Sequence, residues 1–545
     1  MSATCQSYYT LENPAENICK THEFFTIYYL FQIFKELNPH YFDKNNGPGR
    51  PRIYTPDVML PFVQWGHLNK IISCRDLENW WTRNDDTCNF ILDCKKPGKS
   101  SINEFLNDYS YLLDEFDRFI VEFSLKTGLM DGNIIYHDGT ILAGYCNDFK
   151  KLYANQLYYL RDFILEHRHE TDDNGLWFKM GKYFINQDFK EEIEPILDDL
   201  KKNIRAGGIY LLESAFKQKN GLKKVLLKIK QMEENTKGNQ PISIVDPEAH
   251  SMLDKNNKWG FNYNFQSGVD DKYEMMAIHY ITQSPNDKKE LLVTVNELNE
   301  ILHKENYVIV VDYGYWHIKS LNEIYNSPTT IVIPDKVSAS RTKEKNNEKK
   351  ANNKIDKKEQ FRKHKFIKDW EKDNYICPNG SILTRQNNNI QNGIEYKVYA
   401  TNDCLTCSDH DICASEPKRK IKDRCDHKID EIKKTYYSKW GQKTYSGRGP
   451  NAEGNFGTLQ ESRNFRGIKT RGIKRVNDEL TQYAITHNIK KIHKHMDVKV
   501  LKTILNLIKK EKTKNRKIDI NILDNLISKF IIKEEKVVDL EINKN

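Results

Sequence analysis

The run YVIVVDYGYW, residues 307–316, restricts the fold more than any other stretch. Val and Ile on successive positions make a strand rich enough to be fully buried, yet it ends on Asp312 and a Tyr-Gly-Tyr-Trp turn. A buried carboxylate must be hydrogen-bonded, protonated or metal-bound, whereas at a strand end it can face a cleft. A second run, LMDGNIIYHDGTILAGY at 129–145, reads as a strand ending near Asp138-Gly139-Thr140. Between and after them come GFNYNFQSGVD, EMMAIHYITQS, a helix near 290–304, and TTIVIPD. Antiparallel strands, then a helix, then further strands predict a mixed α/β sheet.

The flanking regions read differently. Residues 1–128 are helical: EFFTIYYLFQIFKEL and LNDYSYLLDEFDRFIVEFSLKTG carry apolar residues three and four apart. In GPGRPRIYTPDVMLPFVQWGHLN a basic turn precedes Thr55 as N-cap and Pro56 at the first helical position. In KPGKSSINEFL, Ser100 or Ser101 is the candidate cap. Short helices joined by basic turns suit a helix-turn-helix-like DNA binder, and equally a plain helical bundle. Residues 146–240 read as an inserted helical segment, and 336–373 as a charge run suited to a linker. A cysteine-bearing module runs to about 430, followed by a Gly-rich turn, a helix and a basic helical tail. The domains predicted are 1–128; 129–335, with its insertion near 146–240; 336–440; 441–495; and 496–545.

A chain of 545 residues has room for several cores, and 38% hydrophobic with 30% charged residues is a globular composition. No apolar run approaches the roughly 18 residues of a membrane span, so no membrane partner is expected. The first residues lack a charged segment followed by an apolar one, so no export signal is expected. Eleven cysteines then imply a reducing compartment, with free thiols or metal ligands. The net charge of +9 is unevenly placed, crowding 336–372 and 463–516, as on a surface that meets phosphate.

Two residue sets carry chemistry. Asp138 and Asp312 close strand-like runs before Gly-containing turns, and Glu453 opens a helix after YSGRGPNA. Singly, each Asp reads as a turn residue and the Glu as a helix-start carboxylate. Jointly, two aspartates on neighbouring strands and a glutamate from a packed helix can hold two Mg²⁺ ions, which prefer oxygen ligands. Two such ions about 4 Å apart activate a water or 3′-hydroxyl and stabilise the leaving oxygen of a phosphodiester. The second set is Cys377 in CPNG, then Cys404-x2-Cys407-x5-Cys413, with Cys425 and His427 beyond. The Cys-x2-Cys spacing lets two thiolates reach one tetrahedral ion, so Cys377, Cys404, Cys407 and Cys413 are candidate ligands of a structural Zn²⁺; the alternative is a reduced-thiol module. The remaining cysteines show no ligand spacing.

Taken in order, HDGTILAG, VDPEAHSMLDKNNKWGFNYNFQSGVD, VVDYGYW and YSGRGPNAEGNFGTLQ resemble the DDE transposases of bacterial insertion sequences, in the subgroup with a cysteine-bearing insertion. GRPRIYTPDVML and KPGKSSINEFL resemble that family's helical DNA-binding region, and RGIKRVNDELTQYAITHNIKK its C-terminal helix. The resemblance implies an RNase H-like mixed-sheet catalytic domain behind an N-terminal helical DNA-binding domain, with a helical and a cysteine-bearing insertion. It implies Asp138, Asp312 and Glu453 as catalytic ligands of two Mg²⁺ ions, with Mn²⁺ able to substitute. Tyr445 and Arg448 would position DNA, Arg448 on a phosphate. Arg50, Arg52, Lys469, Arg471, Lys474 and Arg475 would add DNA contacts. The implied activity is cleavage at terminal inverted repeats of double-stranded DNA and attack of the freed 3′-hydroxyl on target DNA, by a homodimer in the bacterial cytoplasm at the nucleoid. Two departures stand out. Gln460 occupies the place of a lysine in the glutamate signature, and the spacing from Arg448 to Glu453 is one residue longer than the commonest. Glu461 is a fallback acidic ligand. The alternatives are a co-opted DNA-binding protein without catalysis, which Gln460 favours, and an RNase H-like nuclease that cuts without joining.

Overall fold

The computed structural model describes residues 23–42, 54–81, 96–348, 357–457, 459, 467–514 and 519–524. In chain order the elements are α1 (Glu23–Leu37), α2 (Pro56–Leu68), α3 (Cys74–Trp81), α4 (Lys99–Asp108), α5 (Ser110–Lys126), β1 (Ile134–Ala143) and β2 (Lys151–Leu152). There follow α6 (Ala154–Glu166), α7 (Leu176–Asn186), α8 (Lys190–Phe216), α9 (Gly221–Glu234), β3 (Ile242–Ser243), β4 (His250–Leu253), β5 (Trp259–Asp270) and β6 (Met276–Thr282). Next are α10 (Glu290–Leu302), β7 (Val308–Val310), α11 (Ile318–Ile324), β8 (Thr330–Val332), α12 (Lys336–Glu348), β9 (Ile367–Asp369), β10 (Asn374–Ile376), β11 (Ile382–Arg385), β12 (Asn389–Gln391) and β13 (Ile394–Ala400). The last are α13 (His410–Cys413), β14 (Ile421–Arg424), α14 (His427–Tyr437), α15 (Lys439–Ser446), α16 (Gly454–Gly457), α17 (Ile473–His495) and α18 (Val498–Lys512). Two compact units result: Met1–Gly132 with Gly139–Pro285 and Gly454–Asn545, and Asn133–Asp138 with Asn286–Glu453.

In the first unit α17 is the central rod. It packs on α1, α2, α5 and β6 and is buried on every side from Glu479 to Ile489, as a helix enclosed by other elements must be. Its Asn488 is fully buried and clamps a strand backbone, accepting from Met276 N–H (2.8 Å) and donating to Met276 O (2.9 Å). The predicted N-terminal helices therefore share a core with the C-terminal helix. Thr55 is the N-cap of α2, with Pro56 at its first position, but the Thr55 side chain makes no capping bond. Gly98, rather than Ser100 or Ser101, caps α4. The tail helix α18 packs on α1. The predicted helical insertion is α6–α9, with its own apolar core in which Trp177 stacks on Phe216 at 5.7 Å. The helix α8 kinks at Arg205, whose φ is +52°. Strands β4 and β6 each pair antiparallel with β5, and a register shift at Gly268/Val269 bends the second pair.

In the second unit β1, β7 and β8 are parallel, registered Ile134↔Val308↔Thr330 through Tyr136↔Val310↔Val332. Buried Tyr136, Val310 and Val332 form a small core with Tyr436 of α14 and Ala452. The strand predicted to stop near Asp138 continues to Ala143. Thr140 and Leu142 keep burying one face of it, so the chain stays extended. What stops is its registered pairing with β7, at Tyr136, leaving Asp138 two residues past the last pair. The predicted linker is ordered on both sides of 349–356, which lie outside the described residues. Its first part is α12, where Arg341 donates to His364 O (2.6 Å) and Phe366 O (2.9 Å). The chain then enters β9 of a six-stranded antiparallel sheet, order β12-β13-β11-β10-β9 with β14 beside β13. That sheet is the cysteine-bearing insertion, closed by buried Phe366, Tyr375, Leu383, Tyr399 and Ile421.

Candidate functional site

Asp312 lies two residues past β7 and caps the 3₁₀ turn Tyr313–Tyr315: its Oδ1 accepts the Gly314 N–H at 2.7 Å. A Cβ at Gly314 would sit 2.8 Å from that oxygen, so a side chain there would displace the Asp312 carboxylate from its cap. Asp312 thus does serve a turn, but with one oxygen only. Tyr315 is fully buried and meets the His137 ring at 5.3 Å, while His137 Nε2 hydrogen-bonds Thr294 Oγ1 at 3.1 Å. These contacts fix the backbone on which Asp138 is the next residue.

The third arm is the segment after α15. Tyr136 Oη donates to Thr444 O (3.3 Å), and Gly447 crosses the Tyr136 ring so closely that a Cβ there would lie 2.8 Å from Cζ. Glycine at 447 lets this arm lie against β1 and places Arg448. A five-residue π-helical turn, Gly449–Glu453, follows and ends on the glutamate, so Glu453 closes an irregular turn rather than opening a regular helix.

These elements focus three carboxylates on one guanidinium. Arg448 Nη2 lies 2.9 Å from Asp138 Oδ1 and 3.8 Å from Asp312 Oδ2, and its Nη1 lies 3.0 Å from Glu453 Oε1. Side-chain exposure rises from 10% at Arg448 and 13% at Asp138 to 40% at Asp312 and 64% at Glu453, so the cluster opens to solvent on its Asp312–Glu453 side. Burial works against the Arg448 charge, but Asp138 and then Asp312 outweigh it and hold the guanidinium above its ordinary pKa. Burial raises Asp312 above the usual carboxylate range; Arg448 and the Gly314 N–H pull it back, and Asp287 and Glu453 push it up again. Asp287, whose carboxylate would lie 3.5 Å from a Cβ at Gly314, is a fourth acid that the sequence reading missed. It stands in the polar SPNDKK turn ahead of α10, which carries no pattern beyond that of a loop.

The donor set, all carboxylate oxygen, fits a hard divalent cation. Its focus is held by an internal monovalent one, and among the described residues no group of three or more His, Cys, Asp or Glu stands in an arrangement that would hold a metal ion. Tyr445 packs edge-on against Tyr436 at 5.2 Å, and burial pushes its hydroxyl up to about 12, with Arg448 opposing. Arg448, expected on a phosphate, is 9% exposed and spends its guanidinium on the carboxylates. Lys469, Arg471, Lys474 and Arg475 belong to the other unit, at and before the start of α17. Arg50, Arg52, Gln460 and Glu461 lie outside the described residues.

The cysteine set gathers at one end of the antiparallel sheet. Cys377 begins the turn between β10 and β11, with Gly380 N–H donating to its carbonyl (2.9 Å) and Gly380 at φ +88°. Cys404 and Cys407 lie in and just after a 3₁₀ turn, and Cys413 ends α13. All four are free thiols of intermediate exposure. Burial raises the Cys413 thiol, and proximity to Cys404, Cys377 and Cys407 raises it further against the pull of Arg419. Asn379 Nδ2 approaches Cys407 Sγ at 3.5 Å.

Residues 376–493 match a family model described as a transposase DDE domain. The match runs from the cysteine set through Arg448 and Glu453 into α17, and the two aspartates precede it. Neither a curated protein nor a solved structure matches the chain. The match gives the chain a segment similar to a transposase DDE domain over 376–493.

Proposed function

We propose that this protein is a DDE transposase that cleaves DNA at the ends of its element and joins the freed 3′-hydroxyl to target DNA, using Asp138, Asp312 and Glu453. The convergence of these three acids, 174 and 141 positions apart in the chain, on a single guanidinium carries the reading. Few structural needs gather three carboxylates round one buried arginine, since each desolvated charge is costly. The parallel β1-β7-β8 order, with one aspartate just past each of the first two strands' pairing, supports an RNase H-like catalytic domain.

Two Mg²⁺ ions, or Mn²⁺ in their place, would supply an activated oxygen nucleophile and stabilise the leaving oxygen. The protein's part is to present three carboxylate donors from a rigid strand, a capped turn and a π turn, with Arg448 pulling the Asp312 pKa down against burial. Arg448 holds that charge together in the absence of substrate. Its guanidinium must leave Asp138 and Glu453 when stronger cations arrive, and a DNA phosphate is then its natural partner. Tyr445, held by Tyr436, walls the same arm. The four cysteines are proposed as a structural Zn²⁺ site that fastens the antiparallel sheet. Pairing two DNA ends calls for a homodimer, and action on chromosomal DNA places it at the nucleoid. No helix among the described residues is long and apolar enough to cross a membrane.

The test is a strand-transfer assay on DNA carrying the element ends, with Mg²⁺ or Mn²⁺. Cleavage and joining by the native chain, both abolished in Asp312→Asn with DNA binding retained, is the expected result. Cleavage without joining would make the protein a nuclease, and binding without cleavage would make it a co-opted DNA binder, the reading that Gln460 favours.

A further inference from the structure

The helical insertion takes no part in the carboxylate site, yet with its neighbours in the first unit it builds a basic cavity of about 480 Å³. Lys150 lines it from the chain after β1, Lys224 and Lys228 from α9, and Arg471 from the segment before α17, while no carboxylate lines it. None of these four cations makes an ion pair among the described residues. Lys150 Nζ sits 3.9 Å over the Tyr210 ring, Lys224 reaches Gln218 Oε1 at 2.7 Å, and Lys228 reaches only Val245 O at 3.5 Å. The nearby Asp246 is buried and faces inward, accepting from Tyr263 Oη (2.8 Å) and Gly472 N–H (3.2 Å). Burial lowers the Lys228 pKa; Asp246 pulls it back up and Arg471 pushes it down again. Gathering like charges in a recess is unfavourable unless a polyanion answers them.

A second cavity of about 550 Å³ shares Tyr145 and Arg471 with the first and continues past Lys99, Lys469 and Arg475. Two acids also line it: Glu479 is occupied by the Lys469 and Thr470 N–H groups and the Thr470 hydroxyl, and burial with Asp114 raises the Asp478 pKa to about 6 against Lys474 and Arg475. At the shared wall the Arg471 guanidinium lies 4.9 Å over the Tyr145 ring and its Nε donates to Tyr145 O at 3.3 Å, while Tyr145 remains 54% exposed. An exposed ring braced by arginine among cations is what stacks an unpaired base. Recesses of this size take a small-molecule-sized group, whereas a duplex whose major groove alone is about 12 Å wide does not enter.

We infer that the two cavities form one channel for a single DNA strand, with backbone phosphates on Lys150, Lys224, Lys228 and Arg471 and a base stacked on Tyr145. The inference rests on the protein acting on DNA, and it gives the insertion a role in holding a strand separated from its duplex. One nucleotide would fill one cavity; two joined cavities lined by cations fit a chain of phosphates.

The full chain is titrated with a labelled single strand of about 20 nucleotides and with its duplex, over roughly 50–200 mM salt, by fluorescence anisotropy. The triple variant K150Q/K224Q/K228Q is expected to bind the single strand at least ~10-fold more weakly and to flatten the log–log salt slope by about 2, at ~0.7 per lost phosphate contact. Tyr145→Leu is expected to cost about tenfold without changing the slope. Lys224→Gln alone, an exposed position, gives a smaller loss of the same kind should the triple variant fail to fold. Unchanged single-strand affinity and slope overturn the channel, as does full displacement of the strand by millimolar dAMP, which would mark a mononucleotide pocket. An intact salt slope in the triple variant beside a native chain that cleaves DNA sinks the channel alone. A flattened slope beside a native chain that never cleaves sinks the transposase reading alone.

Discussion

The carboxylate cluster and the cysteine cluster lie in the same compact unit and handle charge in opposite ways. The acids already share a cation, Arg448, built into the chain. The thiols have no such ion pair among the described residues: burial and the nearness of Cys404, Cys377 and Cys407 raise the Cys413 pKa against the pull of Arg419. A group that stabilises itself internally can wait for its metal, whereas a group of thiols that binds zinc gains order when the metal displaces their protons. Metal at the first cluster should therefore govern reaction, and metal at the second should govern stability.

The largest effect follows from the acids. Asp138→Asn or Asp312→Asn should lower the rate of DNA cleavage by ~10³-fold or more, the scale seen when one member of a charged constellation is removed. Thermal melting of the Asp312 variant should hardly move, because asparagine at 312 can still accept the Gly314 N–H. A parallel fall in melting temperature would erase the contrast between the two clusters. Arg448→Ala comes next. It strands three acids without their partner, and breaking such a pair costs about 3–5 kcal/mol in folding stability at neutral pH. Added Mg²⁺ should restore much of that loss, read as a rise in melting temperature absent from the native chain at the same concentration.

How much of this could be read in the sequence depended on what each residue answers to. Asp138 and Asp312 stand out because apolar runs announce a strand and a carboxylate interrupts it. The continuation of β1 past Asp138 did not, since Gly139 reads locally as a turn while its pairing partners lie far off in the chain. The charge run 336–373 read as a linker because its composition is polar, yet Arg341 finds two carbonyls more than twenty residues on. Composition carries no information about such distant acceptors. Arg448 shows the limit most clearly: its position in the signature was legible, but its partners were not, because an arginine's partner is set by what the fold brings within reach. Asp287 lay hidden in an ordinary polar turn for the same reason.

A smaller effect belongs to the thiols. Cys407→Ser should remove bound zinc, measured as metal per chain, and lower stability by about 2 kcal/mol or more while the cleavage rate per folded molecule is unchanged. A chelator should reproduce the variant's melting curve in the native protein. Equal loss of stability in metal-free native and variant chains would show that the thiols act only as core residues. Gly447→Ala, which forces a methyl against the Tyr136 ring, should cost about 1–3 kcal/mol and displace Arg448; zinc content should stay at the native level, which separates strain in the catalytic arm from damage to the sheet.

The finest distinction is in pH. Asp312 has a raised pKa, so it binds its proton more readily folded than unfolded, and its contribution to stability is fullest in acid and lost as pH rises through the folded value. Reaction runs the other way, because the ionised form is needed, and cleavage should therefore fail on an acidic limb lying above the ordinary carboxylate range. Arg448 is the strongest influence holding that pKa down. Replacing it by Gln removes the cation but keeps polar contact, so the limb should move to higher pH, by about one unit if the lost attraction is ~1.4 kcal/mol. A cysteine set loaded with zinc, as proposed, should respond with the opposite sign in stability: acid would protonate the thiolates, release the metal and destabilise the sheet. Following cleavage rate and melting temperature together between about pH 5 and 8 in the Arg448→Gln chain separates the two. A limb that stays in place would mean that Asp312 does not depend on Arg448 for its charge, and the internal cation would lose its role as keeper of the site.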